Sequence, residues 1–261
     1  MTRGDTPLLH LAGVSHAYGA VPVLQALDIA VQPGEFVAIV GPSGCGKTTI
    51  LNLCSGWLAP SSGRVSRRGR SRTVFQHDGL FPWLTVAENV QLGLQHVADD
   101  QERVRRVVHW LGLVELVAFA GHYPHQLSGG MRQRIELVRA LAGETDLLLM
   151  DEPFSSLDYL TRLRLRGEFA RLLGAQPRTV VLVTHDIEEA AQLADRVVVL
   201  SERPARVRDV VQIDQPRPRD LTSAAVVAAV HRILMALGLE QEAPARRTGA
   251  AERMPQEWGL P

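Results

Sequence analysis

The 261-residue sequence contains a single lysine, Lys47. Lysine and arginine total 28, so the other 28 − 1 = 27 basic side chains are all arginine. A compositional drift that spared one lysine by chance is the plain reading. The physical one is that arginine is a planar fork and lysine a slim charge on a flexible stem, so position 47 needs the slimmer group. Cysteine is nearly as scarce. Cys45 and Cys54 offer neither a disulfide framework nor metal-ligand spacing, and a reducing compartment is expected. No stretch approaches the roughly 18 consecutive apolar residues that a membrane-spanning helix needs. The start, Met1 to Pro7, leads into no apolar core with a cleavage site, so no secretory signal is expected. The chain is thus expected to be soluble and to serve a membrane only through a partner. Net charge is lacking too: 28 acids balance 28 bases, which removes any long-range pull toward nucleic acid or acidic lipid. With 46% apolar residues, the length suits one α/β core plus a subdomain.

What is present begins at Lys47. Gly41, Pro42, Ser43, Gly44, Cys45, Gly46, Lys47, Thr48 and Thr49 fit Gly-x4-Gly-Lys-[Ser/Thr] directly after a short apolar strand, Glu35 to Val40. The glycines free the loop backbone to wrap a phosphate chain, with amides and the start of the next helix aimed at negative charge. Leu8 to Val14 and Asp28 to Val31 read as further strands of a small β layer, with Tyr18 in the turn between them. An aromatic with a polar tip there suits either stacking on a nucleobase or covering the edge of a core. The helix from Lys47 is predicted to reach about Leu58, and Arg64 to Arg72 reads as a solvated basic loop.

Thr73 to Gln76 is a strand candidate ending on an amide side chain. Leu80, Phe81, Trp83 and Leu84 then surround Pro82, as an anchor for the next helix or a docking surface for a partner. Residues 85–145 read as mostly helical. Asp99 and Asp100 cap a helix with Val104, Val107, Val108 and Leu111 on its apolar face, and Ser128 opens another with Gly129 and Gly130 exposing amides at its start. Leu147 to Met150 is a buried strand ending in Asp151 and Glu152, adjacent carboxylates at the strand end where open α/β sheets bind ligands. One would order Mg²⁺ and the other take a proton from water. A helix follows Ser155 to Asp158, and Thr179 to Thr184 is a second buried strand, ending in His185. Arg196 to Leu200 and Val207 to Ile213 close the β/α alternation. A Pro216 to Asp220 linker, a helix at about Thr222 to Leu239 and a poorly ordered 240–261 tail complete the chain.

Taken in order, Tyr18, Gly41 to Thr49, Gln76, Leu127 to Arg134, Leu147 to Glu152, Ser155 to Asp158 and His185 resemble the ATP-binding cassette ATPases over about residues 8–215. The segment from Gln76 through Phe81 to Val86, with Met131 to Arg134 and Pro216 to Arg219, is similar to the import ATPases for nitrate, taurine and aliphatic sulfonates. The resemblance implies a P-loop NTPase fold: a RecA-like core sheet and β layer (1–84 and 146–215), a helical subdomain (85–145) and a C-terminal helix and tail (216–261). It implies ATP and Mg²⁺ as ligands. Tyr18 would stack on adenine; residues 43–49 would hold phosphates, Lys47 on the β/γ oxygens and Thr48 on the metal. Asp151 and Gln76 would also serve the metal, Glu152 would be the general base, and His185 would bridge it to the γ-phosphate. Ser128, Gly129 and Gly130 would reach the nucleotide of a second copy, with Asp158 coupling the two sites. Permease subunits would dock at Leu80, Phe81 and Trp83 on the cytoplasmic face of the membrane, serving a separate solute-binding protein.

Three departures stand out: Met131 where many cassettes carry glutamine, Ser156 for a common alanine, and a short Gly63 to Thr73 connection that leaves no room for a hairpin. Cys45, set among positive dipoles, is expected to have a lowered thiol pKa and to be shielded from alkylation by MgATP. The rival reading is a cassette acting on nucleic acid or the ribosome, resting on the basic 64–72 run alone. A plain P-loop kinase would leave Ser128 to Gly130 and His185 without a task.

Overall fold

Each central strand serves two cores at once. In β3 (Phe36–Val40), every residue is buried, and alternation sends Phe36, Ala38 and Val40 to one side, Val37 and Ile39 to the other. Strands β6 (Leu147–Asp151) and β7 (Thr179–Val183) divide in the same way, Leu148, Met150, Val180 and Leu182 against Leu147, Leu149, Val181 and Val183. Burial on both faces is why these segments read as unbroken apolar runs. The computed structural model describes residues 6–75, 79–155, 157–175 and 177–239.

The main sheet has the order β5-β6-β7-β3-β8-β9, where β5 is Ser71–Val74, β8 Arg196–Leu200 and β9 Val207–Gln212. All neighbours are parallel except β9, which returns antiparallel to β8. One face packs on helix α1 (Lys47–Ser55) and a three-stranded antiparallel sheet, β2-β1-β4, of β1 (Leu9–Tyr18), β2 (Val21–Val31) and β4 (Ser62–Arg67). The other face carries α2 (Val86–Gln91), α3 (Asp100–Leu113), α4 (Gly129–Ala142), α5 (Tyr159–Ala175), α6 (Ile187–Leu193) and α7 (Ala224–Leu237). Local chemistry starts these helices, at Asp99 and Ser128 as expected and at Thr85 where no cap was foreseen. Thr85 and Glu88 close a capping box, Asp99 accepts the Gln101 and Glu102 amides, and Ser128 accepts that of Met131.

Four expectations change. The basic 64–72 run is not a loop: β4 pairs with β1, Leu9 opposite Arg67, and the chain passes directly into β5. Four of the run's five arginines have structural partners. Arg67 donates to the Ser55 and Cys54 carbonyls at the end of α1, Arg68 to Pro7 O, and Arg72 to Arg139 O, while Arg70 pairs with Glu144. Helix α1 stops three residues early because Gly56 turns left-handed (φ 83°) and its N–H returns to Leu53 O. On α3, Val107 and Leu111 are buried but Val104 and Val108 are exposed; the packed stripe turns instead toward Trp110 and Val114. The Pro216 to Asp220 linker is tied down, since buried Arg219 donates to the Ala194, Ile213 and Gln215 carbonyls. The short connection after Gly63 does omit a hairpin, as the described β layer has three strands. The 240–261 tail and Ser156 lie outside the described residues.

Candidate active site

Because β6, β7 and β3 are parallel neighbours, their C-terminal ends open on one edge and deliver their last residues to one place. From β3 come residues 41–46 and the start of α1. Gly46 is held at φ 115°, and a Cβ there would lie 2.7 Å from Val23 Cγ1 and 2.8 Å from a Leu24 methyl, so the loop is pressed onto the β layer at a point only glycine allows. From β6 come Asp151 and Glu152, and from β7 Thr184 and His185. A cavity of about 260 Å³ is lined by the phosphate loop with Lys47, Thr48 and Thr49 on one side and Asp151, Glu152 and Val183 on the other, while Thr184 and His185 stand outside its lining.

Lys47 is buried, and its Nζ donates to Gly41 O (2.9 Å) and Pro42 O (3.0 Å), bracing the loop from inside. His185 Nδ1 lies 3.0 Å from Glu152 Oε1, with the histidine exposed and the glutamate largely covered. Glu152 takes a left-handed backbone conformation (φ 46°), uncommon for a side chain of its kind and a feature that clusters at functional sites. The surroundings fix it there: its N–H donates to Val183 O, and its carbonyl accepts Ser155 N, Ser155 Oγ and Gln133 Nε2. Tyr18, half exposed at the end of β1, places its hydroxyl 3.5 Å from Thr49 Oγ1, beside the loop. Thr48 and Asp151 offer a hydroxyl and a carboxylate to the same cavity, the hard-oxygen pair that Mg²⁺ takes alongside phosphate oxygens and water. A phosphate seat, an acidic edge and a paired histidine together describe a nucleoside-triphosphate site.

A family model described as "ABC transporter" matches residues 24–155. The chain belongs to the ABC transporter family. It is an ATP-binding cassette ATPase. The cassette is 43% identical over 235 residues to the aliphatic sulfonates import ATP-binding protein SsuB 1 of Rhodococcus jostii (strain RHA1), covering 87% of this chain and 91% of that one. It is 42% identical over 213 residues to the nitrate import ATP-binding protein NrtC of Synechococcus elongatus, covering 77% of this chain and 32% of NrtC. Among solved structures it resembles the dimeric bacterial ABC transporter cassette MJ0796 (TM-score 0.71, 32% identity, 79% of this chain and 99% of that one). It is also similar to a post-hydrolysis state of MJ0796 bound to ADP and Pi (TM-score 0.70, 31% identity, 79% of this chain and 99% of that one).

The cassette does not gather every expected residue at this cavity. Ser128 and Gly129, at the start of α4, are exposed and absent from the lining. Asp158 is exposed at the head of α5, where hydrogen bonds from the Thr161 hydroxyl and then the Thr161 N–H hold its carboxyl below the usual range. Gln76 lies outside the described residues. Two contributors were not anticipated. Arg203, from the turn between β8 and β9, lines the cavity and donates to Gly44 O, and Gln133 on α4 reaches the Glu152 carbonyl. Nothing in the motif spacing announces a contact spanning 159 residues.

Cys45 needs a correction. It is only 2% exposed, and burial raises its thiol pKa despite the opposing pull of Lys47 and the loop amides. Burial pushes Cys54 up to about 12. Both thiols are therefore expected to resist iodoacetamide in the native chain at pH 8, with or without MgATP, and to react fully in urea. Mass spectrometry of the alkylated protein checks this; native labelling of Cys45 within minutes would contradict it.

Proposed function

We propose that two copies of this cassette close on two ATP molecules and that hydrolysis drives a membrane permease importing a small anion or organic solute of the nitrate, taurine or sulfonate kind. The substrate class rests on the relatives named for sulfonate and nitrate import. The observation that carries the dimer is the place of the α4 start: Ser128 and Gly129 are exposed, Gly130 is half-buried, and all three lie outside the lining of their own chain's cavity. Phosphoryl transfer needs charge stabilisation on several sides of the γ-phosphate, and a second copy supplies the open one.

In this reading Tyr18 stacks on adenine, the 41–49 backbone and Lys47 hold the phosphates, and Ser128, Gly129 and Gly130 face the partner's nucleotide, with Asp158 at the seam. Thr48 and Asp151, with Gln76, would hold Mg²⁺, which would offset negative charge on the phosphate chain. Glu152 accepts a proton from water as that water's oxygen bonds to the γ-phosphorus and the bond to the ADP oxygen breaks; His185 steadies both Glu152 and the γ-phosphate. Residues 85–145 act as the unit that brings the α4 start to the other copy, on the cytoplasmic face of the membrane. The nucleic-acid rival is weakened, since four of the five arginines in its basic run, Arg67, Arg68, Arg70 and Arg72, are engaged within the chain.

The permease surface is narrower than expected. Leu80 is 8% exposed and belongs to the core, whereas Phe81 and Trp83 stand outward with ring centroids 5.4 Å apart. Buried Asn89 holds their turn, accepting Phe81 N–H and donating to the Phe81, Leu84 and Thr85 carbonyls. Such a fixed aromatic pair suits an anchor in a partner's pocket. Phe81→Ala with Trp83→Ala is expected to leave the isolated chain's ATPase within about twofold, while uptake in cells with the cognate permease falls about tenfold or more, as for loss of a hot spot. Unchanged uptake would remove the docking assignment.

A further inference from the structure

Arg166, on α5, is 2% exposed, yet it carries a full charge into the core beneath the Glu152 and His185 pair. It forms an ion pair with Asp186 and lies 3.4 Å from Glu189 Oε2, its guanidinium 6.0 Å from the Phe154 ring. Arg162, one turn earlier, reaches Asp186 at 3.5 Å. Both acids belong to the segment that holds His185. Asp186 is the next residue and caps α6 by accepting the Glu189 N–H; its own N–H donates to Thr184 Oγ1, which donates to Glu189 Oε2 at 2.6 Å. His185 is thus the one exposed residue between two pinned neighbours. A void of about 10 Å³, roughly the size of one water, touches Glu152, His185, Arg166 and Glu189 together.

A buried ion pair of this kind is a poor source of stability, because desolvation offsets its Coulomb gain and an apolar replacement often does as well. Burial raises the Glu189 carboxyl to about 7 even with Arg166 and the Thr184 hydroxyl pulling the other way. The arrangement calls for a reason beyond packing, and its position supplies one.

We propose that Arg166 is a positioning residue for ATP hydrolysis: gripping Asp186 and Glu189 from α5, it fixes the turn carrying His185 so that the imidazole meets Glu152. Since α5 begins directly after Asp158, at the proposed seam between copies, the same grip passes the position of the seam to the histidine. The inference rests on the proposed role of His185.

The test is a double-mutant cycle on the full chain, reading steady-state ATPase and ATP affinity. Arg166→Met is expected to lower kcat about tenfold or more, with KM for ATP within about twofold, since the interaction lost is one that orients a reacting group. Arg166→Lys regains part of that rate. The Arg166→Met/His185→Ala pair falls no further than His185→Ala alone, because the arginine acts through the histidine. Should Arg166→Met fail to fold with its acids unpaired, Arg166→Met/Glu189→Leu removes charge from both sides and is expected to show the same kcat loss and the same lack of additivity. Multiplying losses, or an unchanged kcat in the folded variants, would overturn the inference while leaving the role of His185 standing. Intact turnover in His185→Ala would remove both.

Discussion

Glu152→Gln is expected to lower ATP turnover by about 10²- to 10⁴-fold, the usual range for loss of a general base, and in MgATP to convert the cassette into a dimer stable on gel filtration. In barrier terms this is about 3 to 5 kcal/mol. The effect is chemical rather than structural. What holds residue 152 in place is backbone: its N–H on Val183 O, and its carbonyl shared by Ser155 and Gln133. Glutamine keeps the side-chain shape and tolerates φ 46° as poorly or as well as glutamate, so unfolding free energy is expected to stay within about 0.5 kcal/mol. Its amide oxygen still accepts from His185 Nδ1, 3.0 Å away in the parent, but cannot take a proton from water. Removing one negative charge from a cavity meant for a triphosphate also relieves repulsion with ATP. Closure is thus favoured at the same time as the step that would end it is blocked. A variant that hydrolyses ATP at the parental rate would displace Glu152 as base; one that is inactive, binds ATP and elutes only as monomer would sink the closed dimer.

The parts of this site that could be read from the sequence share one property: each is set by backbone chemistry over a few residues. The 41–49 loop, the two all-apolar strands with polar ends, and Ser128 as a cap are local patterns, and the strands' parallel order follows from β/α alternation. What stayed hidden depends on pairing across the chain. The 64–72 run looked like solvated charge because its partners, the open carbonyls of α1 and Arg139, lie on other elements. Cys45 looked activated because the dipoles around it are local, while the desolvation that outweighs them comes from packing against the β layer. Leu80 and Phe81 are adjacent and equally apolar, and only the turn held by Asn89 decides that one faces in and the other out. Arg203 and Arg166 had no motif to mark them, since in a chain with 27 arginines one more is no signal.

Lys47→Arg is expected to reduce ATP turnover about 10²-fold or more, as for loss of a donor aimed at transition-state charge, while the fold survives. Charge is conserved in this exchange, so the loss measures geometry. An ammonium has three donors on a tetrahedral centre; here two are used on Gly41 O and Pro42 O, at 2.9 and 3.0 Å, which leaves the third to point into the cavity. A guanidinium is flat, and its donors diverge in one plane, so it cannot clasp two loop carbonyls and a phosphate oxygen from one point. It is also wider, at a position already buried beside a loop that has no space for a methyl group at Gly46. Either the arginine stays out and the carbonyls go unanswered, or it enters and the loop opens. Both leave the β and γ oxygens without their inside cation, and both spare the sheet beneath, so circular dichroism and melting temperature should change little. Full hydrolysis by a folded Lys47→Arg chain would mean that the single lysine owes its place to chance, and that positive charge alone, in whatever shape, is what the loop requires.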